Sequence, residues 1–511
     1  MRLKLIIVAC ILQFLWITST CYQTTDQNTS DVHNIQTHAR IDDEEYVKCG
    51  FSLALSNEFF NKFAKELLPS IFELIKEEIS INKTIEVDVG MFILYLSSPK
   101  FEIVDIQYDK DKTSIELYND NNSIGFHLAD SLVNISMEYD IYLDPPILND
   151  TGKLDLGYNH LSIDMVFSLE QKDPSGDLFL NFSESQFTVD PKDVYLNLNN
   201  TNDFDQILIT VVKSISDPIL RLISTALTDY LENVANIVIG FIPEALSIGK
   251  FSIDLSFYDF PNITDEYALS TWNGTFFPTG GELPFSNENE LPRYAPDGKG
   301  IQFFLSEYTL KSLLYTATVA DVFKFSITNN DTVILNTAYL KGLFPEITKE
   351  YGEKSPCALL IKVNTSDTLN LTITPQGVGF NGPVYLELDA IKDGETDYSG
   401  VFAINVYVDI DAILDISKDL TITIKITKID ITATTPIWSN IGDISKNINS
   451  LLKRLLTIIK DVVNLLFSRG INLSNFLSIP FYIKDIELTA KQGFYEIQAN
   501  PYLKTSDIID N

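Results

Sequence analysis

The chain has 511 residues, which at roughly 150 residues per domain predicts two to four domains. It carries 37 Lys and Arg against 70 Asp and Glu, a formal net charge of −33. That balance repels phosphate backbones, so nucleic-acid binding through a basic footprint is excluded, and docking by charge on anionic lipid is disfavoured. An apolar content of 45% is too high for a disordered acidic tail and predicts a large folded protein with a negative surface.

Residues 1–21 read as a cleaved secretory signal: Arg2 and Lys4, an apolar run from Leu5 to Trp16, then Ile17-Thr18-Ser19-Thr20. The run is shorter than the ~20 residues a bilayer needs, which argues against a signal anchor. Secretion fits the glycosylation sequons at Asn28, Asn82, Asn121, Asn134, Asn149, Asn181, Asn199, Asn262, Asn273, Asn330, Asn364, Asn370 and Asn472. Cys10 and Cys21 belong to the signal. Cys49 and Cys357 remain, as one bridge in an oxidising compartment or as two free thiols, so no disulfide framework is present and burial must hold the core. The end, Thr505 to Asn511, is polar and carries no lipid-anchor tail. Later apolar stretches are all broken by charges, so the mature protein is expected to be soluble and secreted.

Residues 22–48 form a mobile polar leader with the acidic run Asp42-Asp43-Glu44-Glu45. Ser56 is placed to cap a helix in which Phe60, Phe63, Leu67, Ile71, Leu74 and Ile75 recur at three- and four-residue steps, kinked at Pro69 and ending near Ile79. Alternation follows, as Val133/Ile135/Met137/Tyr139/Ile141/Leu143, then Leu161/Ile163/Met165/Phe167/Leu169, then Leu178/Leu180/Phe182. Period two predicts antiparallel strands with one buried face. A second long helix is predicted by Ile207, Val211, Ile215, Ile219, Ile223, Leu227, Leu231 and Val234, with a kink or restart at Asp217-Pro218.

The order then begins again. Ser306 caps a helix carrying Leu310, Leu313, Leu314, Ala317, Ala320 and Val322. Strands are predicted at Leu369/Leu371/Ile373, Val384/Leu386/Leu388 and Val406/Val408/Ile410. The next runs Leu420/Ile422/Ile424/Ile426 and changes phase at Lys428 to Ile429/Ile431/Ala433, which predicts a β-bulge. A helix over 444–468 buries Ile448, Leu452, Leu455, Ile459, Val462 and Leu466, with Gly470 as its stop. A terminal hairpin turns at Gln492-Gly493. Each half is thus α+β: long helix, strands, long helix.

Signs of catalysis are weak. His127 and His160 have no Cys or His at ligand spacing, which argues against a metal, and no Gly-x-Ser-x-Gly or phosphate-cradling loop occurs. With 70 acidic residues some carboxylate pair will always look tempting, and a solvated acidic surface explains them better than a glycosidase site. The helix stripes either fill a core or leave an elongated apolar cavity, and periodicity does not distinguish the two.

The segments Gly50-Phe51-Ser52-Leu53-Ala54-Leu55-Ser56, Ile301-Gln302-Phe303-Phe304-Leu305-Ser306, Trp272-Asn273-Gly274-Thr275-Phe276-Phe277, Leu343-Phe344-Pro345-Glu346-Ile347 and Leu371-Thr372-Ile373-Thr374-Pro375-Gln376-Gly377 carry a resemblance in their order and spacing. Over Cys49 to Pro501 the chain resembles the family of bactericidal/permeability-increasing protein and lipopolysaccharide-binding protein, which includes plasma lipid-transfer proteins. The resemblance implies an α+β fold: an elongated boomerang of two pseudo-symmetric barrels, each a highly curved antiparallel sheet wrapped on long helices, joined by a central β-sheet. It implies an N-terminal lipid-binding domain over 49–247 and a C-terminal one over 248–511, each holding a phospholipid or similar acyl lipid. The positions carried over are Phe60, Phe63, Leu67, Ile71, Ile219, Ile223 and Leu227 in the first half. In the second they are Leu310, Leu314, Ala317, Leu452, Leu455 and Ile459.

Two departures matter. The family's disulfide within the first domain has no cysteine near Leu178–Gln186, and a Cys49–Cys357 bridge would instead join the halves. Endotoxin-binding members carry Lys clusters at the tip of the first barrel, whereas Lys76 to Glu86 has no net positive charge here. The expected function is therefore lipid binding and transfer without catalysis or cofactor, by a monomer that meets membrane surfaces transiently. The alternatives are an innate-defence protein binding lipopolysaccharide or another microbial envelope lipid, a secreted hydrolase, and a structural glycoprotein with solid barrels.

Overall fold

The computed structural model describes residues 46–502 apart from internal stretches, the longest being 66–82, 199–215, 233–244 and 473–481. Its larger sheets are antiparallel: an eight-stranded sheet in the first half, a seven-stranded sheet in the second, and a six-stranded sheet built from both.

The first sheet is organised on a long hairpin, Ser123–Asp144 against Asn149–Gln171. Alternation explains its inward face, with Val133, Ile135 and Met137 packed beside Leu154 and Leu156. Buried positions then shift phase, from Leu154, Leu156 and Tyr158 to Leu161, Ile163 and Met165. His160 (φ 54°) and Asp130 (φ 60°) lie in left-handed backbone where the register slips on both strands. This double irregularity bends the hairpin and lets it curl.

The second sheet is organised on Gly377–Ile391, Tyr398–Ile416 and Thr421–Ser439. The expected bulge is present. Asp411 faces Lys428 while Ala412 faces Ile426, so Thr427 is the extra residue. Its hydroxyl donates to the Asp411 carbonyl at 3.0 Å. The helix Ile448–Phe467 packs on this strand, where Asn464 satisfies both backbone groups of Ile426. It starts four residues later than the periodicity predicts, since Ile444 still belongs to a preceding turn. The expected stop at Gly470 lies outside the described residues.

The central sheet has the order Phe257–Ile263, Tyr267–Trp272, Phe51–Ser56, Ile301–Ser306, Phe494–Tyr502, Tyr482–Lys491. It is a palindrome: a hairpin flanks each of two central strands that run antiparallel to each other, Leu55 opposite Ile301 and Phe51 opposite Leu305. Each central strand ends in a serine that caps a helix. Ser56 Oγ accepts from Phe59 N at 3.1 Å, and Ser306 Oγ accepts from Thr309 N at 3.1 Å. The second of these helices, Glu307–Val319, ends before the expected Val322 because the chain turns at Asp321 (φ 58°). The first is described at 57–62 and at 65, so its expected run to Ile79 lies outside the described residues.

One face of the central sheet (Phe51, Leu53, Leu55, Phe303) joins a core that includes Leu117 and Ile124 of the first barrel. The opposite face carries Ser52, Thr271, Gln302 and Ser306, all buried. There Gln302 clamps both the N–H and the carbonyl of Ala295 at 2.8 Å. Cys49 packs beside Val47, Leu291 and Phe304, while Cys357 belongs to the main core of the second barrel. The bridge between them is therefore corrected: both thiols are free, each buried in its own cluster. Burial pushes each thiol up to about 12.

Candidate functional site

An apolar pocket lies where the first barrel meets the central sheet. It is lined by Phe60, Ile124, Phe167, Leu169, Leu180, Pro261, Ile263, Ala268 and Leu269. Phe60 arrives one turn into the helix that Ser56 caps. Ile124, Phe167, Leu169 and Leu180 come from adjoining barrel strands, with Ile124 opposite Phe167 and Leu169 opposite Leu180. Ile263 and Ala268 face each other across the sheet's outer hairpin. The lining holds no charged side chain. The cavity volume is about 20 Å³, room for about one water. At this place the described residues leave a small apolar void and not an elongated cavity.

Of the residues carried over by resemblance, Phe60 lines this pocket. Phe63, Leu67, Ile71 and Leu227 lie outside the described residues. Ile219 and Ile223 are buried in a helical stretch, but neither lines the pocket. That stretch is tied to the barrel elsewhere, by Tyr158 Oη donating to the Ser216 carbonyl at 3.1 Å and by Ser185 with Ser224 at 3.1 Å. In the second half, Leu310 and Leu314 come together against Leu371, Ile373 and Tyr495. Ala317 is buried farther along the same helix. Leu452 belongs to the separate main core of the second barrel with Ile448 and Leu451. The side chains of Leu455 and Ile459 lie outside the described residues. Ile124, Leu180, Ile263 and Ala268 were not singled out as site residues. Period two made the Phe167, Leu169 and Leu180 faces legible, but nothing local said which strands share a pocket.

Two polar clusters lie apart from this pocket. His127 bonds Asp164 through Nδ1 at 2.8 Å and Tyr118 Oη through Nε2 at 2.8 Å, with Glu116 at 3.7 Å. Burial and then Glu116 push the Tyr118 phenol above its ordinary range, so it is held protonated rather than activated. Asp130 joins Lys112 and His160 on the surface at the bend of the long hairpin. Among the described residues no group of three or more His, Cys, Asp or Glu is placed to hold a metal, and no helix is long and apolar enough to cross a membrane. Of the sequons, Asn121 is exposed in a turn, while Asn181 donates to Glu170 at 2.7 Å and Asn273 to Ser256 at 2.7 Å. Asn28, Asn82, Asn199 and Asn330 lie outside the described residues.

Residues 249–502 match the family model for the C-terminal domain of the LBP / BPI / CETP family. No curated protein matches the sequence. Among solved structures, the chain is similar to a crystal structure of lipopolysaccharide binding protein at 17% identity and a TM-score of 0.51, covering 90% of this chain and 100% of that one. Two others superimpose only loosely. Takeout 1 of Epiphyas postvittana gives 16% identity and a TM-score of 0.23 over 32% of this chain and 79% of its own. P47 of Clostridium botulinum E1 gives 11% and 0.24 over 89% of this chain and 99% of its own. The curled antiparallel sheets on capped helices and the matched C-terminal domain agree: the chain belongs to the LBP / BPI / CETP family.

Proposed function

We propose that this protein is a secreted lipid-binding protein that takes up a phospholipid or similar acyl lipid and passes it between surfaces. The observation that carries the reading is the pocket at the junction of barrel and central sheet, lined by apolar residues. Membership of the LBP / BPI / CETP family supports it. The cavity of about 20 Å³ is too small for an acyl chain, so loading requires the Phe60 helix and the Ile263/Ala268 hairpin to part from the barrel strands. Each methylene then buried contributes about 0.8 kcal/mol, which over a long chain offsets that separation. We assign the two halves, 49–247 and 248–511, as the units that carry this function, and no cofactor beyond the lipid is invoked.

Capture of lipopolysaccharide or another microbial envelope lipid is the second reading, since a structure similar to this chain is titled lipopolysaccharide binding protein. The net charge of −33 favours neutral or zwitterionic lipid, because an anionic headgroup approaches an acidic surface against repulsion. Native mass spectrometry and organic extraction of the protein purified from a secretory host test the first reading. Co-purified phospholipid, or uptake of a fluorescent phosphatidylcholine, is expected. An empty protein that takes up none would sink the proposal. Tight endotoxin binding that weakens steeply with salt would promote the second reading over it.

A further inference from the structure

The palindromic central sheet allows the two halves to be compared position by position. Ala268 lies opposite Leu55, the residue before the capping Ser56. Tyr495 lies opposite Leu305, the residue before the capping Ser306. The two positions are therefore equivalent under the sheet's pseudo-twofold. Their hairpin partners are equivalent too: Ile263 pairs with Ala268, and Ala490 pairs with Tyr495. On the helices, Phe60 and Leu310 each stand one turn beyond the cap.

The halves differ in what fills this place. In the first, Ala268 is one wall of the small void and contributes only a methyl group to it. In the second, the same register position carries a tyrosine that is 2% exposed. Its ring is packed against Leu371 and Ile373, with Leu310 and Leu314 of the helix closing on the cluster. The exchange of Ile263 for Ala490 returns less room than the tyrosine ring takes. Protein interiors pack closely, so a chain entering beside Leu371 and Ile373 has to displace this ring.

We propose that the two halves are unequal, with Tyr495 as a built-in plug, so that the chain carries one acyl lipid, in the first half, instead of one in each. This rests on the lipid-binding reading above and narrows it: the equivalent position sets the number of sites.

The test is lipid stoichiometry by native mass spectrometry on the full chain, delipidated and reloaded from dioleoylphosphatidylcholine vesicles, with thermal melts to confirm folding. One lipid per chain is expected for the wild type and for Tyr495→Phe, which keeps the ring. Two are expected for Tyr495→Ala, and none for Ala268→Tyr, which copies the plug into the first half. Two lipids on the wild type overturn the inference and leave the lipid-binding reading standing. So does a folded Tyr495→Ala that stays at one, or a folded Ala268→Tyr that keeps its lipid. If Tyr495→Ala does not fold, Tyr495→Leu replaces it, and the wild-type count decides independently. No uptake by any variant removes the lipid-binding reading and the inference with it.

Discussion

Ser306 illustrates how much a single residue does. Its hydroxyl satisfies Thr309 N at the start of the helix Glu307–Val319, one of the donors that no helical carbonyl can reach. Ser306→Ala is expected to cost about 1 kcal/mol, read as a lowered urea midpoint with an unchanged slope. Phe402 is a larger case. It is 1% exposed in the second barrel, with its ring 5.8 Å from Phe344. Phe402→Ala should cost about 3–5 kcal/mol, and a loss below about 1 kcal/mol would mean the core collapses around the gap. At the surface, the Asp130 hydrogen bond holds His160 above its ordinary range, while Lys112 and then His160 hold Asp130 below its own. The His160 contribution is present at low pH and lost as pH rises through its raised value. The Asp130 contribution is present at high pH and lost as pH falls through its lowered value. The pair is thus charged on both sides only between the two. An NMR titration should find His160 above the usual histidine range, and Asp130→Asn should bring it down. No change in that variant would remove Asp130 as the cause.

At the scale of elements, periodicity located strands well because a half-buried sheet writes its period into the side chains. The phase slip at Lys428 even placed the bulge, since Ile422, Ile424 and Ile426 and then Ile429 and Ile431 face one side only if a bulge takes up the odd residue between them. Deleting Thr427 is therefore expected to close the bulge with both groups still inward and Ile426 and Ile429 still opposite Ala412 and Ile410, so that only the local bend is lost, at a cost of about 0.5–3 kcal/mol by chemical denaturation. A loss well above about 4 kcal/mol would mean that the barrel depends on the bend itself and not only on which face these residues take. The matching bend at Asp130 and His160 escaped the reading, although Leu156/Tyr158 and Leu161/Ile163 show the same change of phase. Its signal is shorter, because the left-handed residues are polar and look like ordinary outward positions. The helix at 448 was legible as an amphipathic stripe, and Leu452 packs into the main core of the second barrel, apart from the pocket described. Stripe and destination are separate facts: the first is local, and the second depends on what another element brings.

At the scale of the whole molecule, the two free thiols make a simple check. Both are fully buried, in different clusters, and held protonated by desolvation. A non-reducing peptide map should show no Cys49–Cys357 crosslink, and a thiol reagent should label them only in denaturant. A crosslinked peptide would contradict the separation of the two clusters. The sequence by itself determined the class of the molecule. Composition demanded a folded acidic protein, and period two and period 3.6 demanded antiparallel sheets with capped helices in a repeated order. Those properties are local, so neighbouring residues record them. Only the tertiary structure decided which surfaces meet. It brought Phe60, Leu180 and Ala268, far apart along the chain, to one pocket. It also set Tyr495 in the place of Ala268, an equivalence that exists only once two distant hairpins flank the same pair of strands. Register across a sheet is a long-range pairing that no local period encodes, and here it decides which side chain stands beside each capped helix.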